Sequence, residues 1–164
     1  SGLVSVTGGK LTTFRLIALD ALAKAAKYVP GLDATDEGAP TFRKTVSTLD
    51  GVPKAIADRI IGRYGFLAQR FVSEMPREEL VPIGDTETLV ADLRWAARNE
   101  AVVRIEDLLL RRTRLGNILR DGGSAHAALI KATVQAELGL SDDAYEKAWN
   151  DYLALVRSSY ALPT

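Results

Sequence analysis

Two adjacent glycines, Gly8 and Gly9, set the first constraint on this chain. They interrupt a short apolar run of Leu3, Val4 and Val6 and lead directly into Lys10-Leu11-Thr12-Thr13-Phe14-Arg15, where an apolar periodicity begins that continues through Ile17, Ala18, Ala21 and Leu22. The run ahead of the pair suits a buried strand, and the spacing after it suits an amphipathic helix. Glycine permits backbone torsions that side chains forbid, so the pair reads as a strand-to-helix turn. At such a turn free N–H groups and the positive end of the helix dipole converge. Lys10 adds a mobile charge with three donors, and Thr12 and Thr13 offer hydroxyls or a cap. Two readings stand side by side: a turn that touches an anionic or electron-rich ligand, and a connection whose glycines only allow close packing. The spacing matches neither the Gly-x-x-x-x-Gly-Lys-Ser/Thr phosphate loop nor the Gly-x-Gly-x-x-Gly fingerprint, so spacing alone leaves the ligand open.

Composition removes several classes of function. Lys+Arg and Asp+Glu number 21 each among 164 residues, and the formal net charge of +0 gives no general attraction to nucleic acid or to an anionic bilayer. Cysteine is absent and His126 is the single histidine, which leaves no disulfide framework, thiolate site or histidine cluster for a metal. No apolar run approaches the roughly 20 residues that cross a bilayer, and no signal-peptide pattern opens the chain, so an intracellular, cytoplasmic location is the default expectation. A hydrophobic content of 47% suits one core, or a core with a smaller satellite.

Downstream, the pattern is helical. The first helix is expected over residues 11–28, stopped by Pro30 and Gly31, and residues 31–40 read as an exposed loop and a boundary. Residues 41–49 read as an extended connector, and Asp50-Gly51 as a turn. Pro53 suits the first turn of a helix carrying Ile56, Ile60 and Ile61 to near Gly65, followed by a short helix over 66–75 closed by Pro76. Tyr64, Phe66, Leu67 and Phe71 are expected to fill core. A linker over 76–84 leads to a helix capped by Asp85 or Thr86, with Leu89, Leu93 and Ala96 on one face and Trp95 beside them. Ser124 is a cap for a helix reaching Leu138, Gly139 stops it, and Ser141-Asp142-Asp143 caps a last helix striped with Tyr145, Ala148, Trp149, Tyr152, Leu153 and Val156. His126, near a helix start without an acidic partner in view, reads as a surface residue. The fold class expected is mainly α: a compact orthogonal helical bundle with a short N-terminal strand-turn-helix.

Charge is concentrated between two of these helices. Arg94, Arg98, Glu100, Arg104, Glu106, Asp107, Arg111, Arg112 and Arg114 surround apolar Ile105, Leu108, Leu109 and Leu115. They form either an anion-binding arginine cluster or an internal salt-bridge network, and the interleaving of signs favours the network. The most basic window, Arg111 to Arg114 with Arg120 beyond, is spread around a helix, flanked by acids and without a base-stacking aromatic, which argues against nucleic acid.

The run Gly8-Gly9-Lys10-Leu11-Thr12-Thr13-Phe14-Arg15 resembles a segment near the end of the flavin domain of FAD-dependent glycerol-3-phosphate dehydrogenases. Arg94-Trp95-Ala96-Ala97-Arg98-Asn99-Glu100, followed by Ile105-Glu106-Asp107-Leu108-Leu109-Leu110-Arg111-Arg112-Thr113-Arg114, resembles the signature of their helical C-terminal domain. The resemblance covers nearly the whole chain. It implies a parent flavoenzyme that oxidises sn-glycerol 3-phosphate to dihydroxyacetone phosphate by hydride transfer to FAD, passing electrons to quinone, or to oxygen in the related oxidases. It also implies that Gly8, Gly9, Lys10, Leu11 and Thr12 face the flavin, with Lys10 stabilising its charge or contacting substrate. Phe14 stands where many relatives have Tyr, so no hydroxyl role is assigned to it.

The family's FAD fingerprint and its upstream substrate-binding arginines and histidine are not in this sequence. The expectation is therefore a C-terminal fragment, with residues 1–40 a remnant of the FAD-binding domain and 41–164 a helical cap. Alone it is expected to be inactive and to retain no FAD. Homo-oligomerisation, contact with the remainder of the flavin domain and a peripheral place at the inner face of the cytoplasmic membrane are further expectations for the parent. The alternative is a helical interaction or cap module with no catalytic role of its own.

Overall fold

A computed structural model describes residues 2–34, 38, 40 and 42–160. The chain divides into two units, Ser1–Arg43 and Lys44–Thr164.

In the first unit, residues 2–10 carry no regular secondary structure. Among the described residues there is no strand, and the one β feature is an isolated bridge between Pro82 and Leu89 in the second unit. The expected strand at Leu3 to Val6 is thus not formed. A strand needs a neighbour to take its N–H and C=O groups, and this segment lies along a helix instead. A Cβ on Gly2 would sit 3.8 Å from Tyr28 and one on Gly8 3.0 Å from Ile17, so the segment runs antiparallel to the helix it precedes. Gly8 serves close approach, not unusual torsion, since neither it nor Gly9 adopts positive φ. Lys10 is extended, Leu11–Thr13 forms a 3-10 turn, and α1 spans Phe14–Ala25, with looser turns covering the rest of the expected helix. Neither the 3-10 turn nor α1 contains a buried residue.

The second unit is built on helices α2 (Lys54–Tyr64), α3 (Ala68–Glu74), α4 (Val90–Asn99), α5 (Leu115–Ile118), α6 (Ala127–Val134) and α7 (Asp142–Ser159). Pro53 takes the cap position before α2, and Gly65 at φ 54° turns the chain toward α3. Phe66 is not core but 47% exposed. Tyr64 and Phe71 stack at 4.3 Å and both meet Trp95, forming an aromatic centre with Leu49, Ile60, Val72 and Leu89. A second, larger core joins Val90, Leu93 and Ala96 to Leu108, Leu109, Leu115, Ile130 and the α7 stripe Tyr145, Trp149, Tyr152 and Val156. Helix α4 lies between these cores and feeds both, so its apolar surface is two-sided where the sequence suggested one stripe.

That helix starts later than Asp85 or Thr86 suggest. Ile83 N–H bonds Thr88 O at 2.8 Å and Val90 N–H bonds Val81 O at 3.0 Å, a hairpin-like loop that holds back the helix until Val90. Beyond α4, Asp107–Arg112 winds as a π-helix, whose end is closed by Thr113 donating both its N–H and its hydroxyl to Leu108 O. Helix α6 begins at Ala127, not at a Ser124 cap, because Arg120–His126 is a 3-10 segment interrupted by three left-handed residues. Ser141 caps α7 by accepting the Ala144 N–H at 3.3 Å.

Candidate functional site

Gly8, Gly9, Lys10, Leu11 and Thr12 are all exposed. The N–H groups that open a helix have no intrahelical partner by geometry, and the Lys10 ammonium makes no hydrogen bond or ion pair among the described residues. Thr13, rather than Thr12, does the local work: its hydroxyl donates to Lys10 O at 3.2 Å and its N–H to the same atom at 3.3 Å. A groove of about 350 Å³ beside this turn is lined by Val4 to Thr7 and by Leu16, Ile17, Asp20, Ala21 and Lys24. None of residues 8–12 lines it.

The charged residues divide into separate groups. Arg94 is nearly buried and fully engaged: its Nε and Nη2 clasp Glu79 at 2.8 and 2.5 Å, and its Nη1 reaches Glu137 at 2.6 Å. Arg98 completes the Glu137 end with bonds of 2.6 and 2.7 Å. The arginine forks thereby tie the segment before α4 and the turn after α6 to one face of α4. Hydrogen bonds from Arg98 and then Arg94 hold the Glu137 carboxyl below its ordinary pKa against the opposing effect of burial. The forks are matched to carboxylates, and Arg94 keeps no guanidinium nitrogen free for an added anion.

Glu100 is different. Burial raises its pKa, and Arg63 and Arg112 offset this only in part. Arg112 donates to the Glu100 backbone carbonyl at 2.6 Å, not to its carboxylate, and Arg63 donates to Arg112 O at 2.9 Å. Asp107 faces inward along its own chain: it accepts the Arg104 N–H at 2.9 Å, the Val103 N–H at 3.2 Å and an Arg111 bond at 2.8 Å. Burial opposes its ionisation, but these donors outweigh burial and lower its pKa. Arg114 stands outside every group, with no partner among the described residues and a left-handed backbone at φ 61°. Arg114 aside, the charged residues expected to form one network are therefore several local fastenings rather than one cluster.

The tightest polar centre is one the sequence reading passed over. Asp92 is fully buried and accepts Arg59 and Tyr64, each at 2.5 Å, and the Leu89 N–H at 2.8 Å. It is the true N-terminal cap of α4, acting from inside the helix. Burial first, then the Asp92 charge, pushes the Tyr64 hydroxyl's pKa up, so that it stays a donor. The available signal was a lone acid inside the run Leu89-Val90-Ala91-Asp92-Leu93, three residues after the cap. His126 is half-buried under the loop at Gly84, where an added Cβ would meet its Nε2 at 3.2 Å. Among the described residues no group of three acids or histidines gathers for a metal, and no helix is long and apolar enough to cross a membrane.

Fold and charge geometry define a helical domain fastened around a two-faced central helix by arginine–carboxylate forks. The chain belongs to the family described as the C-terminal domain of alpha-glycerophosphate oxidase, whose profile matches residues 19–145. It is 28% identical to a glycerol-3-phosphate dehydrogenase of Mycobacterium leprae (strain TN), over 96% of this chain and 30% of that protein. It is 26% identical to glycerol-3-phosphate dehydrogenase 2 of Mycobacterium tuberculosis (strain ATCC 25618 / H37Rv), with the same coverage, and 29% identical to a probable glycerol-3-phosphate dehydrogenase of Encephalitozoon cuniculi (strain GB-M1), over 71% and 21%. The chain thus spans less than a third of the length of these relatives. No solved structure matches it.

Proposed function

We propose that this chain serves as the C-terminal portion of an FAD-dependent glycerol-3-phosphate dehydrogenase, producing dihydroxyacetone phosphate and passing electrons to quinone. The observation that carries the reading is the family match together with an exposed Gly-Gly-Lys helix start in the first unit. The residues present fit one edge of a flavin: unpaired helix-start donors and a free Lys10 ammonium suit an electron-rich ring edge or an anionic substrate. They do not enclose one, since the neighbouring groove excludes residues 8–12. FAD, when bound, supplies the two-electron acceptor. The chain's own part is to offer backbone donors from Gly8, Gly9, Leu11 and Thr12 and to place Lys10 beside charge.

A test joins this chain to the rest of the Mycobacterium leprae relative in place of the matching part. The chimera is expected to retain FAD and to oxidise glycerol 3-phosphate, and Lys10→Met is expected to lower kcat at least about tenfold without changing the melting temperature. A Lys10→Met chimera with unchanged kcat and KM would remove Lys10 from the site. Tight FAD binding and turnover by the 164-residue chain alone would contradict its reading as an incomplete portion.

A second reading is favoured by the second unit. Its two cores and engaged forks suit a cap that shields a flavin domain or joins subunits without touching the chemistry. Loss of FAD retention in a chimera lacking residues 44–164, with residues 1–43 kept, would favour the shielding role.

A further inference from the structure

We propose that the cleft between the segment over residues 116–124, which runs from α5 into the looping 3-10 stretch before α6, and the C-terminal half of α7 binds an amphiphilic carboxylate: an apolar body bearing a single anionic head. The proposal does not depend on the flavin reading. The cleft, of about 800 Å³, has a floor of Leu119, Leu153 and Val156 and polar walls that include Asn117, Arg120 and Arg157. That size and mixture are typical of small-molecule sites, where an apolar lining fixes the body and a few polar groups fix the orientation.

The loop that makes one wall is pinned in place. The buried Tyr152 hydroxyl donates to Gly122 O at 2.6 Å. A Cβ on Gly116 would collide with that hydroxyl, and one on Gly122 would stand 2.9 Å from it and 3.0 Å from Val156. Immediately beside the pin, Asp121, Gly122 and Gly123 are all left-handed, at φ 50°, 65° and 83°. Asp121 has a Cβ and carries strain there, and strain of this kind is held where surrounding structure imposes it. The outcome is a loop locked to α7 at one point.

Charge selects the ligand. Arg157 has no hydrogen bond or ion pair among the described residues, whereas the forks of Arg59, Arg94 and Arg98 are committed to carboxylates. Arg120 is 95% exposed and only loosely paired with Asp121 at 3.6 Å. Among the described residues lining the cleft, two guanidiniums against one carboxylate leave one positive charge over an apolar floor, which matches one anionic head on an apolar body and disfavours a polyanion.

The test is calorimetric titration of the 164-residue chain with octanoate and with octanol, repeated on Arg157→Gln and on the control Arg111→Gln. Expected are saturable one-to-one octanoate binding below about 1 mM, octanol at least about tenfold weaker, and a loss of about tenfold in Arg157→Gln alone. Leu153→Ser is expected to weaken both ligands. No saturable binding up to about 10 mM, or equal affinity for octanol, would overturn the proposal. So would an Arg157→Gln variant that lowers the melting temperature but binds normally, since that outcome assigns Arg157 only to the end of α7. Sedimentation with vesicles containing oleate, lost in Arg157→Gln, would identify a bilayer as the source of the head group. Octanoate binding without sedimentation would identify a free molecule.

Discussion

Leu16 and Leu93 are both leucines on amphipathic helices, yet Leu16 is 69% exposed and Leu93 fully buried. The contrast extends to their units. Helix α1 buries no residue, and Leu3, Leu11, Phe14, Leu16 and Tyr28 stay open around it. Helix α4 buries six of its ten residues against two cores. An isolated 12-residue helix is marginal in water, because nucleation is costly and packing supplies most helical stability. The second unit therefore contains its own reasons to fold, while the first displays apolar surface of the kind that marks an interaction site. That division supports the proposed role: a self-sufficient helical cap joined to an edge that completes a larger flavin domain.

Removing the inner cap of α4 should give the largest effect. Asp92→Ala strands Arg59 and the buried Tyr64 hydroxyl and frees the Leu89 N–H, and about 3–5 kcal/mol of stability is expected to be lost in urea unfolding. A loss below about 1 kcal/mol would mean that the second unit does not hang on this centre. The paired leucines then test the contrast itself. Leu93→Ala is expected to cost about 2–5 kcal/mol, and Leu16→Ala to stay within about 0.5 kcal/mol. Equal costs would break the comparison.

Two carboxylates sharpen it within the second unit. The folded pKa of Glu137 lies below its ordinary 4.5, so its contribution is present above that value and lost as pH falls through the lower folded value. Glu137→Gln should cost about 1–3 kcal/mol at neutral pH and flatten the acid limb of the stability curve. Glu100 has the opposite sign: its folded pKa is raised, so its charge opposes folding at neutral pH and the penalty is relieved as pH falls through the raised value. Glu100→Gln should be neutral or mildly stabilising at pH 7, read by the same unfolding series. The smallest effect is expected at Tyr145, whose buried hydroxyl has no hydrogen-bond partner and whose pKa burial pushes up to about 12. Tyr145→Phe should change the melting temperature little or raise it slightly, since no bond is lost.

What could be read from the sequence depended on range. The α7 stripe and its Ser141 cap are local patterns, with Tyr145, Trp149, Tyr152 and Val156 recurring on one face, and all four are buried. The Gly65 stop is local as well, at positive φ. Gly139 is also at positive φ, but α6 ends earlier than expected, at Val134, and turns carry the chain from there to Gly139. The partners of Arg94 lie 15 and 43 residues away, at Glu79 and Glu137, and no spacing rule announces them. Asp92 was hidden for another reason: a carboxylate in an apolar run breaks the stripe pattern while serving the backbone. The apolar alternation at Leu3 to Val6 fits a strand, but strand formation depends on a neighbour, and the neighbour here is α1. The Gly-Gly-Lys resemblance and the arginine-rich signature pointed to the family that the profile match identifies. The grouping of those arginines required coordinates, because alternating charges on a helix do not specify which carboxylate each will meet.

Hydrogen exchange along the whole chain tests the division most directly. Amides of α4 and the buried part of α7 are expected to exchange only through global unfolding, with protection of at least about a thousandfold, while those of α1 exchange through local opening with little protection. Protection of α1 equal to that of α4 would contradict the account, because a helix without buried side chains would then be as firmly held as the one both cores enclose.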